Sequence, residues 1–477
     1  MFQALINAFR ISELRGKIFF TLAMLAVYRI GYWIPVPGIN QQQLAEFFQR
    51  QLDEGGAFAR LAGYIATFSG GSFGQSTIFG LGIMPYISAA IIFQLLKSVY
   101  EPLKKLEQEG PSGRQQVQEY TRYATIGLCI IQAIGWLSFV NGQGLVYANW
   151  AGNPVWWVTA ITAMTAGTVF LMWLGEQIDK YGIGNGVSLI ITASILTQMP
   201  AAIQWVITQS PLWGLPLVNF LYGDPPADHT PTLTWMHVIF LASAFFFVVA
   251  GAVLITVAQR RIPVQQARHT RGRKVVGGQR SYLPLRVNHG GVMPIIFASS
   301  LMIIPSVAVS SVANQISTDN FMYSTLGFLS DNLAMGAFLY ILIYIVLVYF
   351  FSYFWTTVQF NPEDMSKQLR DSGSFIPGLR PGPRTAEYLE TVMERVTYVG
   401  AGALSVIAII PMVLFHELNV DFIVASFLGG TGLLIVVSVG LDLIQRIEAN
   451  LLMRNYAGFL GGADRGGKGS PIRGPRG

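Results

Sequence analysis

Long apolar runs alternate with short polar stretches along most of this 477-residue chain. Because a helix needs about 20 apolar residues to cross the hydrocarbon core of a bilayer, runs of this length predict transmembrane helices. The predicted spans lie at 18–38, 69–96, 121–141, 154–174, 184–206, 235–257, 291–312, 335–358, 396–415 and 422–444. The pattern therefore predicts an all-α polytopic membrane protein with ten transmembrane helices.

The second predicted span, residues 69–96, differs from the others because glycine and proline divide it into two short pieces. The first piece, 69–81, contains four glycines, and the second, 82–96, is strongly apolar with Pro85 near its start. Neither piece reaches bilayer length. Interrupted helices are tolerated at membrane depth only where protein or a water-filled cavity surrounds them, so this stretch indicates a transport pathway.

Lysine and arginine are concentrated in alternate loops. Neither residue occurs in the loops at 142–153, 207–234, 313–334 and 416–421. Eight occur between Arg260 and Arg286 and five between Lys367 and Arg395. Since cytoplasmic loops carry the excess of Lys and Arg, both termini are predicted to be cytoplasmic, in a multi-pass protein of the cell (inner) membrane or, in a photosynthetic source, the thylakoid. The opening MFQALINAFRISELRGK predicts no cleaved signal peptide.

The ten predicted spans divide into two halves of five. An odd number of spans per half would place the halves in the membrane with opposite orientations, as in transporters built from inverted repeats. The predicted divisions are a cytoplasmic N-terminal segment (1–17), an N-terminal half (18–207), a C-terminal half (208–445) with cytoplasmic loops at about 258–290 and 359–395, and a basic, Gly-rich tail (446–477).

Composition agrees with a membrane protein and argues against an enzyme. Hydrophobic residues make up 52% of the chain and charged residues only 12%, about half the charged fraction of a soluble domain. His416 and Glu417 resemble the start of a zinc-binding HExxH motif, but Val420 stands where the second histidine belongs. We find no catalytic pair, metal site or intramembrane proton relay, and we expect no cofactor. The energy for any transport must therefore come from a partner.

Two basic loops are candidate contact surfaces. Residues 259–288 contain eight Lys or Arg and no acidic residue. Positive-inside topology or anionic lipid headgroups are one explanation, and a polyanion such as RNA or an acidic protein face is another. The second loop contains FIPGLRPG (Phe375–Gly382), whose prolines and glycines form a rigid turn that presents Arg380. This turn marks either a contact point or simply the end of a loop.

Several apolar residues lie near the glycine- or proline-containing starts of spans. They are Ile83, Ile87, Val187, Ile191, Ile296 and Ile435. One interpretation is that they are ordinary lipid-facing or core residues. The other is that they converge on a hydrophobic constriction that closes a water path by dewetting. Three polar residues within spans, Gln94, Ser299 and Ser300, are expected to form hydrogen bonds between helices.

Together these segments resemble the SecY/Sec61α family in its bacterial form, the channel subunit of the general protein-secretion translocon. The resemblance covers essentially the whole chain. It rests on RIGYWIPVPGI (Arg29–Ile39), GLGIMPYISAAIIFQLL (Gly80–Leu96), YGIGNGVSLII (Tyr181–Ile191), AQRRIPVQ (Ala258–Gln265), GGVMPIIFASS (Gly290–Ser300), FIPGLRPG and LGGTGLLIVV. It implies a ten-helix channel of two inverted, pseudosymmetric halves. Such a channel passes unfolded polypeptides across the membrane and releases signal or transmembrane segments sideways into lipid.

The resemblance also implies roles for individual residues. The six apolar residues named above match the pore ring that grips the translocating chain. The Gly-rich segment at about 69–81 matches the short half-helix that plugs the closed pore, with plug residues Gly70, Gly71, Ser72, Phe73, Gly74 and Ile78. The lateral gate matches Gln94, Ser299 and Ser300. The loop positions that bind the ribosome or the SecA motor ATPase match Arg260, Arg261 and Arg380.

Implied partners are SecE and SecG-type small subunits, the SecA motor, the ribosome, signal peptides, nascent chains and membrane lipids. The main alternative is a secondary transporter of small solutes, because such transporters also contain broken helices and inverted repeats. That alternative predicts ionisable residues buried near the middle of the membrane and compact loops. The sequence shows neither, so a passive protein-conducting pore driven by a ribosome or SecA is the favoured function.

Overall fold

The computed structural model describes residues 11–53, 76–214, 218–219, 232–266, 269–271, 274–276, 280–299, 301–302, 309, 327–329, 332–333, 337–418, 424 and 431–461. Within these residues the chain is mostly helical. The helices are α1 (Ser12–Gly31), α2 (Gln41–Asp53), α3 (Met84–Val99), α4 (Glu101–Gln108), α5 (Pro111–Gly142), α6 (Pro154–Tyr181), α7 (Gly186–Leu196), α8 (Met199–Thr208), α9 (Trp235–Val257), α10 (Phe338–Gln359), α11 (Pro362–Asp371), α12 (Pro383–Leu418) and α13 (Thr431–Gly461). Residues 293–299 are also helical.

Six helical segments within the described residues are long and apolar enough to cross a bilayer. They are Pro111–Gly142, Pro154–Tyr181, Gly186–Thr208, Trp235–Val257, Phe338–Asp371 and Pro383–Ile410. Met84–Lys97 is a shorter apolar helix, in agreement with the interrupted pattern of the second predicted span. These helices give the fold of a polytopic all-α membrane protein, as predicted.

Proline and asparagine determine where several helices begin. Pro85 lies in the first turn of α3. The N–H groups of a first turn have no partner within the helix, so a proline there costs no helical hydrogen bond. Asn185 caps α7, because its side chain accepts a hydrogen bond from Ser188 N at 3.0 Å. The fifth predicted span divides into α7 and α8, and Pro200 lies in the first turn of α8.

The two long basic loops, expected only as loops, form β-structure together. A three-stranded antiparallel sheet has the order β4 (Arg280–Arg286), β1 (Gln259–Gln266), β5 (Ser374–Phe375). A separate hairpin consists of β2 (His269–Arg271) and β3 (Lys274–Val276). Exposed and buried residues alternate in the middle of β1, and Ile262 and Val264 point into a small core beneath the sheet.

Two helices extend beyond the apolar runs that predicted them. α5 begins at Pro111 rather than near residue 121, and α12 begins at Pro383 rather than near residue 396. In the extension of α12, Leu389, Val392 and Met393 are buried in the core beneath the sheet. The helix therefore continues outside its apolar run because one of its faces packs against the sheet.

Three larger apolar cores lie among the other helices. The first, here called the central core, consists of Tyr28, Tyr32, Phe79, Ile83, Ile87, Leu171, Leu174, Ile178, Leu189, Ile190, Ile191, Ile195, Ala202, Leu233, Leu241, Ile296, Val424 and Ile435. A second joins α9, α10, α12 and α13. A third joins α5 and α6 with α2 and the loop after α1. The central core contains residues from both predicted halves, 18–207 and 208–445.

A turn at residues 76–83 replaces the end of the half-helix predicted over 69–81. Ser76 has a φ of 44° and Gly82 a φ of 58°, and these left-handed values interrupt a helix. Val36 N donates a hydrogen bond to Ser76 O at 2.9 Å, which fastens the turn to the chain that follows α1. The beginning of the predicted half-helix lies outside the described residues.

Candidate functional site

The six apolar residues predicted to converge lie in one part of the molecule. Five of them belong to the central core, with exposed fractions of 1% to 6%: Ile83, Ile87, Ile191, Ile296 and Ile435. Val187 is partly buried and packs against the same core. These side chains therefore do not lie on the outer surface, and four separate segments of the chain contribute them to a single apolar cluster.

The start of α3 positions the first two of these residues. Ile83 is the residue immediately before the helix, and Ile87 N donates to Ile83 O at 3.1 Å. Residues four apart in a helix lie on the same face, so both side chains project into the central core. Pro85 between them prevents the helix from extending back into the preceding turn.

A tight turn before α7 positions Val187 and Ile191. Gly186 lies so close to α6 that a Cβ atom at this position would be 2.0 Å from Gly175 O. Gly186 N donates to Asp179 Oδ1 at 2.7 Å. Only glycine allows this approach, so the turn determines where α7 begins and where both side chains lie.

The remaining two ring residues come from the predicted C-terminal half. Pro294 lies near the start of the helical residues 293–299, and Ile296 N donates to Val292 O at 3.2 Å. Ile435 lies in the early turns of α13. Both side chains are buried, at 3% and 2% exposure.

The interior of the described part of the chain is uncharged. No Asp, Glu, Lys or Arg in it is buried. The described residues also contain no group of three or more His, Cys, Asp or Glu able to hold a metal ion. A solute transporter requires ionisable groups in its interior, and the described residues give that alternative no support.

Ile78 is the predicted plug residue that the structure describes; Gly70, Gly71, Ser72, Phe73 and Gly74 lie outside the described residues. Ile78 N donates to Ile34 O at 3.0 Å. Its carbonyl lies against α6, since a Cβ atom at Gly167 would be 2.2 Å from Ile78 O. Ile78 is therefore held between α6 and the chain that follows α1.

The predicted lateral-gate residues have different surroundings. Gln94 is half-buried and lines a cleft of about 760 Å³ between α3, α5 and α6. Ser299 is buried, and its hydroxyl donates to Ile295 O at 2.8 Å within its own helix. Ser300 lies outside the described residues. The gate role of the three residues stays a prediction.

The sequence analysis missed an ion pair in the same cleft. Nε and Nη2 of Arg122 in α5 both lie 2.8 Å from Oε1 of Glu176 in α6. Arg122 lies at the start of the predicted span 121–141 and Glu176 just after the span 154–174, so both lie at the same predicted membrane face. Opposite charges placed in this way on adjacent spans could have indicated the ion pair from the sequence. The pair joins the two helices at the cleft.

The three arginines predicted to contact a partner are exposed. Arg260 and Arg261 lie on β1. Arg380 follows β5 in a turn closed by a hydrogen bond from Leu379 N to Ile376 O at 3.0 Å. Because β5 pairs with β1, the three arginines belong to one folded unit.

A family model described as SecY matches residues 77–444, which is most of the chain. The chain belongs to the SecY family. Protein translocase subunit SecY of Thermotoga maritima is 40% identical over 462 residues, which cover 96% of this chain and 98% of the relative. The Chlamydia trachomatis protein of the same name is 41% identical over 466 residues, with 95% and 97% covered.

Solved structures of SecY-family channels share the fold. The structure of a protein conducting channel has a TM-score of 0.55 at 18% identity, with 91% of this chain and 92% of that chain covered. Sec61 in a canine ribosome-channel complex has a TM-score of 0.52 at 19% identity, with the same coverage. These likenesses confirm the multi-pass all-α membrane fold, and the family match confirms the resemblance found in the sequence.

Proposed function

We propose that the chain is the central channel subunit of a Sec protein translocon, which passes unfolded polypeptides across a membrane. The observation that carries this proposal is the convergence of six aliphatic side chains from four segments on one core. A translocated polypeptide has an arbitrary sequence, so specific hydrogen bonds in the pore would select among substrates. A ring of deformable aliphatic side chains seals without selecting, and it closes the empty pore by excluding water.

Sideways release of apolar segments into lipid is the second part of the proposal. A signal sequence is itself apolar, and its transfer out of water is favourable by roughly 25 cal/mol per Å² of apolar surface buried. The proposed exit lies between α3 and the helix at 293–299, which carry Gln94 and Ser299. Both of these helices also contribute ring residues, so their separation would widen the ring and open the exit together.

The plug and the docking surface complete the proposed channel. The hydrogen bond from Ile78 N to Ile34 O and the close packing of Ile78 against α6 support a role for the turn as the fixed end of the plug. The exposed arginines on the sheet are the proposed contact for the ribosome or SecA, since arginine suits bidentate recognition of phosphate and carboxylate groups. A similar solved structure is Sec61 within a ribosome-channel complex.

The proposal also includes SecE and SecG-type small subunits. The excess of Lys and Arg in alternate loops supports an inner-membrane orientation with both termini in the cytoplasm. In this orientation the sheet faces the compartment that contains the ribosome and the motor. The channel subunit then needs no catalytic site, because the motor or the ribosome supplies the energy.

Ion conductance tests the pore proposal. The full chain is purified in its complex and reconstituted into planar bilayers, and current is recorded without substrate. We expect Ile87→Gly and Ile191→Gly to conduct ions, whereas the native channel stays closed. Ile131→Gly, on the exposed face of α5, is the matched control and stays closed because its side chain is 67% exposed. Closed channels in both ring variants would overturn the proposal.

A further inference from the structure

A chain of buried hydroxyl groups links α1 to α7 within the central core. Tyr28 lies on α1 and Tyr32 is the residue immediately after its end, and their hydroxyl oxygens are 2.5 Å apart. The Tyr28 hydroxyl is also hydrogen-bonded to Ser194 Oγ on α7. Ser194 Oγ in turn lies 3.0 Å from the carbonyl oxygen of Ile190, the residue next to Ile191 of the proposed ring.

Each hydroxyl has one proton, and this determines which group donates and which accepts in each hydrogen bond. Ser194 donates its one hydroxyl proton to the Ile190 carbonyl, so it accepts from Tyr28. Tyr28 has then used its only hydroxyl proton, so it accepts from Tyr32. Tyr28 and Ser194 are each 1% exposed, so water does not reach either hydroxyl in this packing. Moving α7 away from α1 would therefore break the bond between the Tyr28 hydroxyl and Ser194 Oγ with no water at hand to replace it.

Phe79 connects the turn before α3 to the same tyrosines. Its ring is nearly parallel to that of Tyr28, with centroids 6.5 Å apart, and edge-on to that of Tyr32, with centroids 5.9 Å apart. The ring lies directly on α1, since a Cβ atom at Gly31 would be 1.8 Å from Phe79 Cε2. Phe79 belongs to the same turn as Ile83, and Gly82 N, next to Ile83, donates to Phe79 O at 2.8 Å.

We infer that Tyr28, Ser194 and Phe79 are positioning residues for the proposed pore ring. They tie the segment that carries Ile83 and the helix that carries Ile191 to one point on α1. Apolar contacts alone allow several packing arrangements, whereas a fully satisfied buried network allows one. The hydroxyl chain thus keeps the ring narrow in the closed channel. This inference rests on the proposed pore function.

The Tyr28→Phe variant tests the inference, because it removes one hydroxyl and keeps the aromatic ring. The complex is reconstituted as for the ring variants, and the open fraction is recorded without substrate. We expect at least a several-fold rise for Tyr28→Phe and for Ser194→Ala, and no further rise when the two are combined. Ser194→Thr keeps a hydroxyl and should stay closed. Tyr123→Phe, at a 69% exposed site on α5, is the matched control.

Measuring the conductance of Ile87→Gly in the same experiment distinguishes a failure of this inference from a failure of the pore proposal. A leak in Ile87→Gly with native conductance in Tyr28→Phe overturns the inference and leaves the ring intact. Closed channels in both variants overturn the ring itself. Additive leaks from Tyr28→Phe and Ser194→Ala also overturn the inference, since the two hydroxyls would then act independently. A melting temperature measured for each variant shows whether the fold is retained.

Discussion

Gln265 of β1 pairs with Phe375 of β5, so the two long basic loops share one antiparallel sheet. Ile262, Leu285 and Leu389 form part of the core beneath this sheet, and Leu389 belongs to α12. A partner that touches one loop therefore meets a surface shaped by both. Docking should depend on the folding of this sheet as well as on its charge.

Reversing the charge on β1 is predicted to impair docking. The double variant Arg260→Glu, Arg261→Glu should bind ribosomes or SecA more than about 100-fold more weakly, because two lost charge-assisted hydrogen bonds of about 1.5–3 kcal/mol each total about 3–6 kcal/mol. Co-sedimentation over a range of salt concentrations measures this effect. Lys104→Glu, Lys105→Glu reverses two exposed charges on α4 and should bind normally. Normal binding by the β1 variant would contradict the docking assignment.

Removing an apolar side chain under the sheet is predicted to unfold it locally. Ile262 is 2% exposed, so Ile262→Ala should destabilise this unit by about 2–5 kcal/mol through lost packing. Faster proteolysis between residues 259 and 286 and weaker docking are the expected results. Tyr282→Ala removes a 61% exposed side chain from the same sheet and serves as the control. Equal proteolysis of the two variants would show that the core beneath the sheet does not stabilise it.

Adding one methyl group before α7 is predicted to displace that helix. The Cβ atom of Gly186→Ala would lie 2.0 Å from Gly175 O, so the backbone must shift at a cost of about 1–3 kcal/mol. A lower melting temperature and a leak in the closed channel are expected together, because Val187 is the next residue. Gly127→Ala on α5 meets no atom within 4 Å and should leave both measurements unchanged or raise stability. A Gly186→Ala channel with native melting would contradict the close approach.

The ion pair between α5 and α6 is predicted to contribute little to stability. Arg122 and Glu176 side chains are 41% and 35% exposed, so solvent screens them and a coupling of about 0.2–1 kcal/mol is expected. A double-mutant cycle with Arg122→Gln and Glu176→Gln measures it through unfolding of the reconstituted complex. Glu101 and Lys105, 4.0 Å apart and far more exposed, provide the control cycle, with a coupling near zero. A coupling above about 2 kcal/mol would show that the cleft excludes water.

The sequence predicted the membrane-spanning helices because the free energy of transferring a helix into lipid depends mainly on the residues of that helix. The apolar run at 235–257 was enough to predict α9 (Trp235–Val257), because its length and composition suit the bilayer. The same runs could not locate the start of α12, because its first turns are stabilised by packing against a sheet. The start of the turn at 76–83 was also missed: Gly82 marked the break in the span, but Ser76 adopts its left-handed backbone without a glycine to signal it.

The strands and the surroundings of the polar residues required the structure. In β1 only Ile262 and Val264 show the period-two spacing of a half-buried strand, and Pro263 between them counts against a central strand, although β1 is the central strand of its sheet. Gln94 was expected to bond a neighbouring helix, but which of several neighbours it faces depends on the rotation of α3. The ring residues were chosen from spacing and family resemblance. They share one core through contacts between residues far apart in the sequence, and no short stretch of sequence can predict such contacts.

α12 has 36 residues without a break, which at 1.5 Å per residue makes a rod of roughly 54 Å. One end supports the sheet with the exposed arginines, and the other packs among the membrane helices around Leu404 and Ile407. A rigid rod cannot tilt at one end without moving the other. A partner that binds the sheet, as proposed, would therefore displace the membrane helices that pack against the other end of α12 by a purely mechanical route.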